Sequence, residues 1–106
     1  MTEAVGTAAL YDLNQQFHAA LLDAARNRFL VRSVAAIHKT LLILGRSTMA
    51  DGTRAVEAIR EHAAILEALE ARDPLAAGEA MHAHIAAAHR ARLQLLRTSR
   101  CERDME

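Results

Sequence analysis

The sequence lacks the features on which several large protein classes depend. Its single cysteine, Cys101, cannot form an internal disulfide and suits a reducing compartment. No uncharged apolar run reaches the length of about 18 residues that a membrane-spanning helix needs, and no basic segment followed by an apolar one opens the chain. We therefore expect a cytoplasmic protein that makes no contact with a membrane.

Aromatic residues and charge of one sign are also scarce. Aromatic residues make up 3% of the chain against 52% for all hydrophobic residues, and no long alternating run of valine, isoleucine and threonine occurs. Such a composition, rich in alanine and leucine, favours packed helices over sheets. Thirteen basic and thirteen acidic residues cancel, so no net field gathers nucleic acid. We expect one all-α domain over residues 1–106, an antiparallel bundle of about four long helices.

Four segments repeat apolar residues at intervals of three and four, as amphipathic helices do. They run approximately from Ala8 to Ala25, from Arg28 to Leu44, from Thr53 to Arg72 and from Pro74 to Thr98. We expect Gly45 to end the second helix, residues 46–52 to form a loop, and Arg100 to Glu106 to form a charged tail.

The apolar stripes predict which side of each helix is buried. The second helix is expected to be mostly buried, through Leu30, Val34, Ile37, Leu41 and Leu44. The stripe of the third helix contains Val56, Ile59, His62, Leu66 and Leu69. That of the fourth contains Leu75, Met81, His84, Ala88, Ala91 and Leu95.

Short polar residues mark the helix boundaries. Asn27 can end the first helix in a left-handed conformation or cap the second. Asp51 or Thr53 can cap the third helix. Asp73 is a good cap for the fourth, and Pro74 fits its first position, where a missing N–H is not needed.

Two polar residues on the first helix occupy its apolar stripe. Asn14 and His18 are one turn apart, on the same side as Leu10, Phe17 and Leu21. Because buried polar groups cost free energy unless they find partners, we expect other polar groups to face them.

Two more histidines occupy apolar positions on the last two helices. His62 lies eleven residues before Asp73 and His84 eleven after it. In an antiparallel hairpin each is then roughly 16 Å from the turn, at the same level. If the first helix packs on this hairpin, Asn14, His18, His62 and His84 converge. Three imidazole nitrogens and one oxygen suit a divalent ion such as zinc, nickel or manganese.

Three short motifs also carry a family resemblance: Asn14-x-x-Phe17-His18, Glu61-His62-x-x-Ile65-x-x-Ala68, and Asp73 and Ala77 leading to Met81-x-x-His84-Ile85. From Leu10 to Leu96 the chain resembles the FCD domain, the C-terminal effector-binding domain of FadR-type GntR transcription regulators. The resemblance implies an antiparallel helical bundle that binds a divalent metal, through Asn14, His18, His62 and His84, together with a small organic acid. Many relatives have Asp where this chain has Asn14, so its site lacks one negative charge.

The resemblance also implies partners. We expect a homodimer and a small carboxylate effector, and we expect contact with DNA only through a winged-helix domain that is absent from this chain. Arg32 and Arg46 are candidates for pairing with the effector carboxylate, and His38 for lining the same cavity. A solvated arginine is the simpler interpretation of both.

Two other functions fit parts of the pattern. A helical-bundle metalloenzyme is suggested by Glu79-x-x-His82, but di-iron sites of this kind need two such motifs and two more inward glutamates. A purely structural dimerisation bundle would use the histidines as hydrogen-bonded core residues. His82 and His89 share another side of the fourth helix and are expected at the surface or an interface.

Overall fold

The structure, a computed structural model, describes residues 7–43 and 47–104. Over these residues it contains four α-helices: α1 Thr7–Ala25, α2 Arg28–Ile43, α3 Gly52–Glu70 and α4 Pro74–Asp104. A short 3-10 helix, Thr48–Ala50, precedes α3. No described residue forms a strand, and the predicted all-α fold is confirmed.

The chain divides into two compact units, Met1–Met49 and Ala50–Glu106. The first contains α1 and α2, and the second contains α3 and α4. None of the described helices combines the length and the hydropathy that crossing a bilayer requires. That residues 1–106 form a single domain stays a prediction.

In the first unit, α1 and α2 are joined at Arg26 and Asn27. Arg26 has a φ of 52°, and this left-handed residue ends α1. The side-chain oxygen of Asn27 accepts a hydrogen bond of 3.0 Å from the backbone N–H of Leu30. Of the two roles predicted for Asn27, capping the second helix is therefore the one observed.

The segment before α3 is more ordered than the predicted loop. The Ser47 hydroxyl accepts a 3.1 Å hydrogen bond from the N–H of Met49, within the 3-10 turn. The Asp51 carboxylate then accepts hydrogen bonds from Thr53 N–H at 2.9 Å and Arg54 N–H at 3.4 Å. Asp51, rather than Thr53, is thus the cap of α3.

A tight turn reverses the chain between α3 and α4. Arg72 has a φ of 55°, and the N–H of Asp73 donates to the carbonyl of Ala68 at 3.1 Å. This left-handed residue ends α3 before the predicted position. The Asp73 carboxylate accepts from Ala76 N–H at 3.1 Å, and Pro74 is the first residue of α4. Both predictions at this boundary are confirmed.

The buried residues of α3 are Arg54, Ala55, Ala58, His62, Ile65 and Ala68. The predicted stripe correctly includes His62 but is otherwise displaced by one residue, about 100° of helix. Val56, Leu66 and Leu69 are exposed. Alanine lets two helix backbones approach closely, and three of the buried residues of α3 are alanines, whereas these larger side chains lie beside the buried line.

Three other expectations about helix length and burial are wrong. α4 continues to Asp104, past the predicted end at Thr98, because the charged segment contains no Gly or Pro to stop a helix. Leu75, in the first turn of α4, is 73% exposed. In α2, Leu30 and Ile37 are also exposed, so that helix is not mostly buried. Leu44 and Gly45 lie outside the described residues.

Candidate metal centre

Two histidines lie side by side between α3 and α4. His62 and His84 are only 4% and 3% exposed. Their ring centroids are 4.7 Å apart with the planes at 74°, and a nitrogen of one ring lies within 4.8 Å of a nitrogen of the other. The equal spacing on either side of Asp73 therefore predicted this pairing correctly.

A carboxylate orients one of these rings. Glu61 Oε1 lies 2.7 Å from Nδ1 of His84. Burial acts to raise the pKa of Glu61, but hydrogen bonds from Arg54 and His84 outweigh it, and the pKa is lowered. Glu61 is therefore ionised and can only accept, so Nδ1 of His84 donates the hydrogen bond, and in a neutral ring the lone pair is then on Nε2. Metal-binding imidazoles commonly have such a carboxylate partner.

Glu61 is itself held by a buried arginine. The two terminal nitrogens of Arg54 donate to the two oxygens of Glu61, each at 2.8 Å. The side chain of Arg54 is nearly inaccessible, and its Nε has no hydrogen-bond partner among the described residues. The hydrogen bond to Glu61 raises the pKa of Arg54 despite desolvation. A second carboxylate, that of Glu57, lies 3.5 Å from Nη1 of Arg54.

Neither Arg54 nor Glu61 is among the site residues predicted from the sequence. A signal does exist: the two residues are seven apart, which places them on nearly the same side of a helix, two turns from each other. The same spacing of an arginine and a glutamate is, however, also common on the solvent-exposed side of a helix. Only the contact with α4 distinguishes this pair from a surface ion pair.

The other two predicted ligands belong to the first unit. Asn14 and His18 lie one turn apart on α1, and both side chains are half-buried. The His18 ring packs edge-on against Phe17, with ring centroids 5.4 Å apart and planes at 85°. Their role as metal ligands stays a prediction.

The sequence model of one family, the FCD domain, matches residues 1–87. The chain belongs to the FCD domain family. FCD domains are effector-binding domains of GntR-type transcription regulators, and many of them bind metals. The match extends over α1, α2, α3 and the first half of α4. No curated protein and no solved structure matches the chain significantly.

The donor groups of this FCD domain fit the metal that its family implies. His62 and His84 offer imidazole nitrogens of the kind that zinc and nickel accept, and the contact of His84 Nδ1 with Glu61 leaves Nε2 of that ring facing away from the carboxylate. A carboxylate that supports an imidazole, rather than competing for the ion, is typical of such sites. The pair alone supplies two of the four ligands that a closed zinc site needs.

The candidates for effector binding in this FCD domain lie on α2 and beyond it. Arg32 is exposed and lines an open groove at the junction of α1 and α2, together with Asp23 and Arg26. His38 is half-buried on α2. Arg46 lies outside the described residues. Binding of a carboxylate by these residues stays a prediction.

The remaining histidines of α4 are at the surface. His82 and His89 are both exposed, as their angle from His84 predicts. Glu79, the partner of His82 in the motif that suggests a di-iron site, is exposed as well. Di-iron bundles direct both residues of this motif into the core, so Glu79 and His82 do not provide that chemistry here.

Proposed function

We propose that this FCD domain binds a divalent metal and, through it, a small organic acid, without catalysing a reaction. His62 and His84 supply two imidazole ligands, and we propose Asn14 and His18 as the other two. The observation that carries this proposal is the buried His62 and His84 pair, in which a carboxylate fixes the tautomer of one ring.

The chemistry of the pair favours an ion over a purely structural role. The two rings lie 4.7 Å apart and are nearly inaccessible to water. A neutral imidazole in a buried site offers a lone pair, which zinc, nickel and manganese accept. A structural bundle could fill the same space with apolar side chains and would avoid the cost of burying these polar groups.

The asparagine at position 14 gives a reason for an acidic effector. With Asn14 and three neutral imidazoles as ligands, the protein contributes no charge and a bound ion keeps its full charge of about +2. An anionic carboxylate reduces that charge, so the metal and the acid strengthen each other's binding. A relative with Asp at this position would already have neutralised part of the charge. We therefore propose that metal retention in this protein depends on its effector.

We propose that binding of the metal and the acid changes the conformation of the whole regulator. A ligand that binds one packing of the helices more tightly shifts the population toward that packing. In a GntR-type regulator a separate winged-helix domain reads DNA, and we propose that it responds to this shift. Homodimerisation is supported by large apolar side chains that stay exposed on α3 and α4, including Leu66, Leu69 and Ile85.

Metal titration of the metal-free protein tests the proposal. Zinc, nickel and manganese are added separately, with heat of binding and melting temperature as measurements. At a metal concentration 100-fold above Kd, binding is expected to stabilise the protein by about 2.7 kcal/mol. His62→Ala and His84→Ala should remove this gain. His82→Ala and His89→Ala, exposed histidines on the same helix as His84, are the matched controls and should retain it.

A second titration addresses the effector. Short mono- and dicarboxylates are added to the protein with and without the metal that binds best. The proposal expects measurable binding of an acid only when metal is present, and tighter metal binding when that acid is present. Acid binding that is equal in both cases, or no metal binding by the wild-type protein, would contradict it. A purely structural bundle predicts the second of these results.

A further inference from the structure

We propose that Arg54 and Glu61 are positioning residues that hold His84 in a single tautomer and orientation, ready to bind a metal through Nε2. The consequence for metal affinity rests on the function proposed above. The positioning itself does not, because it concerns contacts among three side chains of the second unit.

The first step of the argument is the tautomer. Histidine in water exchanges its proton between the two ring nitrogens, and a metal ligand must present a lone pair at the correct one. The 2.7 Å contact between Nδ1 of His84 and Glu61 Oε1 requires a proton on Nδ1, because an ionised carboxylate cannot donate. In a neutral ring, Nε2 is then the nitrogen that can bind metal.

The second step is the rigidity of Glu61. A glutamate has three side-chain torsions, and a single hydrogen bond to His84 would not fix them. Both oxygens are held by the guanidinium of Arg54 at 2.8 Å, in the bidentate geometry that only arginine provides. Arg54 is in turn at the first turn of α3, where its backbone N–H donates to the Asp51 cap. The carboxylate is thus fixed relative to the helix that carries His62.

The third step concerns charge. Because Arg54 and Glu61 have opposite charges, the pair adds no net charge beside the imidazoles. Attraction between Glu61 and a cation is offset by repulsion from Arg54, so the pair acts by orienting His84 rather than by attracting the ion. This distinguishes positioning from an electrostatic role. An electrostatic role predicts that loss of Arg54 tightens metal binding, whereas positioning predicts that it weakens it.

The test replaces the pair by apolar side chains of similar size, Arg54→Met with Glu61→Leu. Such replacements of buried ion pairs commonly leave a protein folded, because no unpaired charge remains. Metal-free wild-type protein at pH 8 should show His84 in the Nδ1–H tautomer by nitrogen NMR of the ring. The double variant should lose this preference, and its zinc affinity should fall by about 10- to 100-fold.

Glu57→Gln is the matched control, since Glu57 also contacts Arg54 but not His84. It should keep both the tautomer and the zinc affinity. Glu61→Gln is the variant that changes shape least, and it should lose the tautomer because an amide can donate as well as accept. Arg54→Met alone should weaken zinc binding, and tighter binding would overturn the proposal in favour of an electrostatic role.

Two other results would overturn the positioning role. One is a folded double variant that keeps the zinc affinity of the wild type, and the other is a wild-type His84 without the Nδ1–H tautomer. Failure of the proposed function gives a different result. In that case zinc does not bind the wild-type protein at all. The tautomer of metal-free His84 can still be compared between the wild type and the Glu61 variants, and this comparison shows whether the pair positions the ring.

Discussion

Ile65 offers the sharpest test of how α3 packs. It is 2% exposed, whereas its neighbour Leu66 is 44% exposed. Ile65→Ala removes three carbons, each worth about 0.8 kcal/mol on burial. The cavity left behind adds to this loss, so we expect a cost of about 3 kcal/mol. Leu66→Ala removes the same number of carbons from a half-exposed position that water can fill, so we expect about 1 kcal/mol.

Urea unfolding of both variants measures the two costs against the wild type in metal-free buffer. A difference of about 2 kcal/mol corresponds to a melting temperature roughly 8 to 16 °C lower for Ile65→Ala than for Leu66→Ala in a domain of this size. Equal costs, or a larger cost for Leu66→Ala, would refute the assignment of the buried side. They would indicate instead that the stripe of larger side chains is the one that packs. The slope of the unfolding curve should be unchanged in both variants.

Three further changes test other parts of the structure. Asp73→Ala removes the cap of α4 and should cost about 1 kcal/mol in urea unfolding, while Asp104→Ala, at the other end of that helix, should cost much less. Asn14→Asp should tighten zinc binding in the absence of acid and reduce the gain that an added carboxylate gives, measured by calorimetry; an unchanged affinity would argue against position 14 as a ligand. Burial acts to raise the pKa of Glu61, but the hydrogen bonds from Arg54 and His84 lower it overall. Its contribution to stability is therefore present above about pH 4.3, the ordinary value, and is lost as pH falls through the lower folded pKa. Glu61→Gln should remove this part of the acid sensitivity of the metal-free protein.

The sequence predicts the local elements of the fold well where a single residue determines the structure. Asp73 and Pro74 determine the start of α4, and the pattern of apolar residues places every helix end except the C-terminal end of α4 within a few positions. The end of α1 at Ala25 agrees with the prediction, whereas α3 ends at Glu70, before the predicted position, because Arg72 adopts a left-handed conformation that arginine takes only when the surrounding chain imposes it.

Burial was harder to predict than helix position. Hydrophobicity predicts that Leu66 and Leu69 of α3 are buried. In the structure both are exposed, and Ala58 and Ala68 are buried instead. Two helices can approach closely only where the side chains between them are small. The distance between the helices depends on both of them, so the pattern of one helix does not predict which of its residues are buried. His62 was predicted correctly because it belongs to both stripes.

The candidate metal centre is likewise predicted only in part. The pairing of His62 with His84 follows from equal spacing on either side of a turn, which is information that a sequence contains. The contact of Glu61 with His84 joins residues on different helices, and the spacing of each helix alone does not reveal it. Arg54 was missed for a related reason, since an arginine on a helix is expected in water unless a partly buried carboxylate holds it.

X-ray absorption at the zinc edge of the zinc-loaded protein tests the central claim most directly. The account predicts a first shell of nitrogen and oxygen atoms at about 2.0 to 2.1 Å, with the scattering pattern of several imidazole rings and no sulfur. His62→Ala and His84→Ala should each remove one imidazole from that pattern, and His82→Ala should remove none. A sulfur ligand at about 2.3 Å, which only Cys101 or a methionine could supply, or a shell that His62→Ala and His84→Ala leave unchanged, would contradict the account.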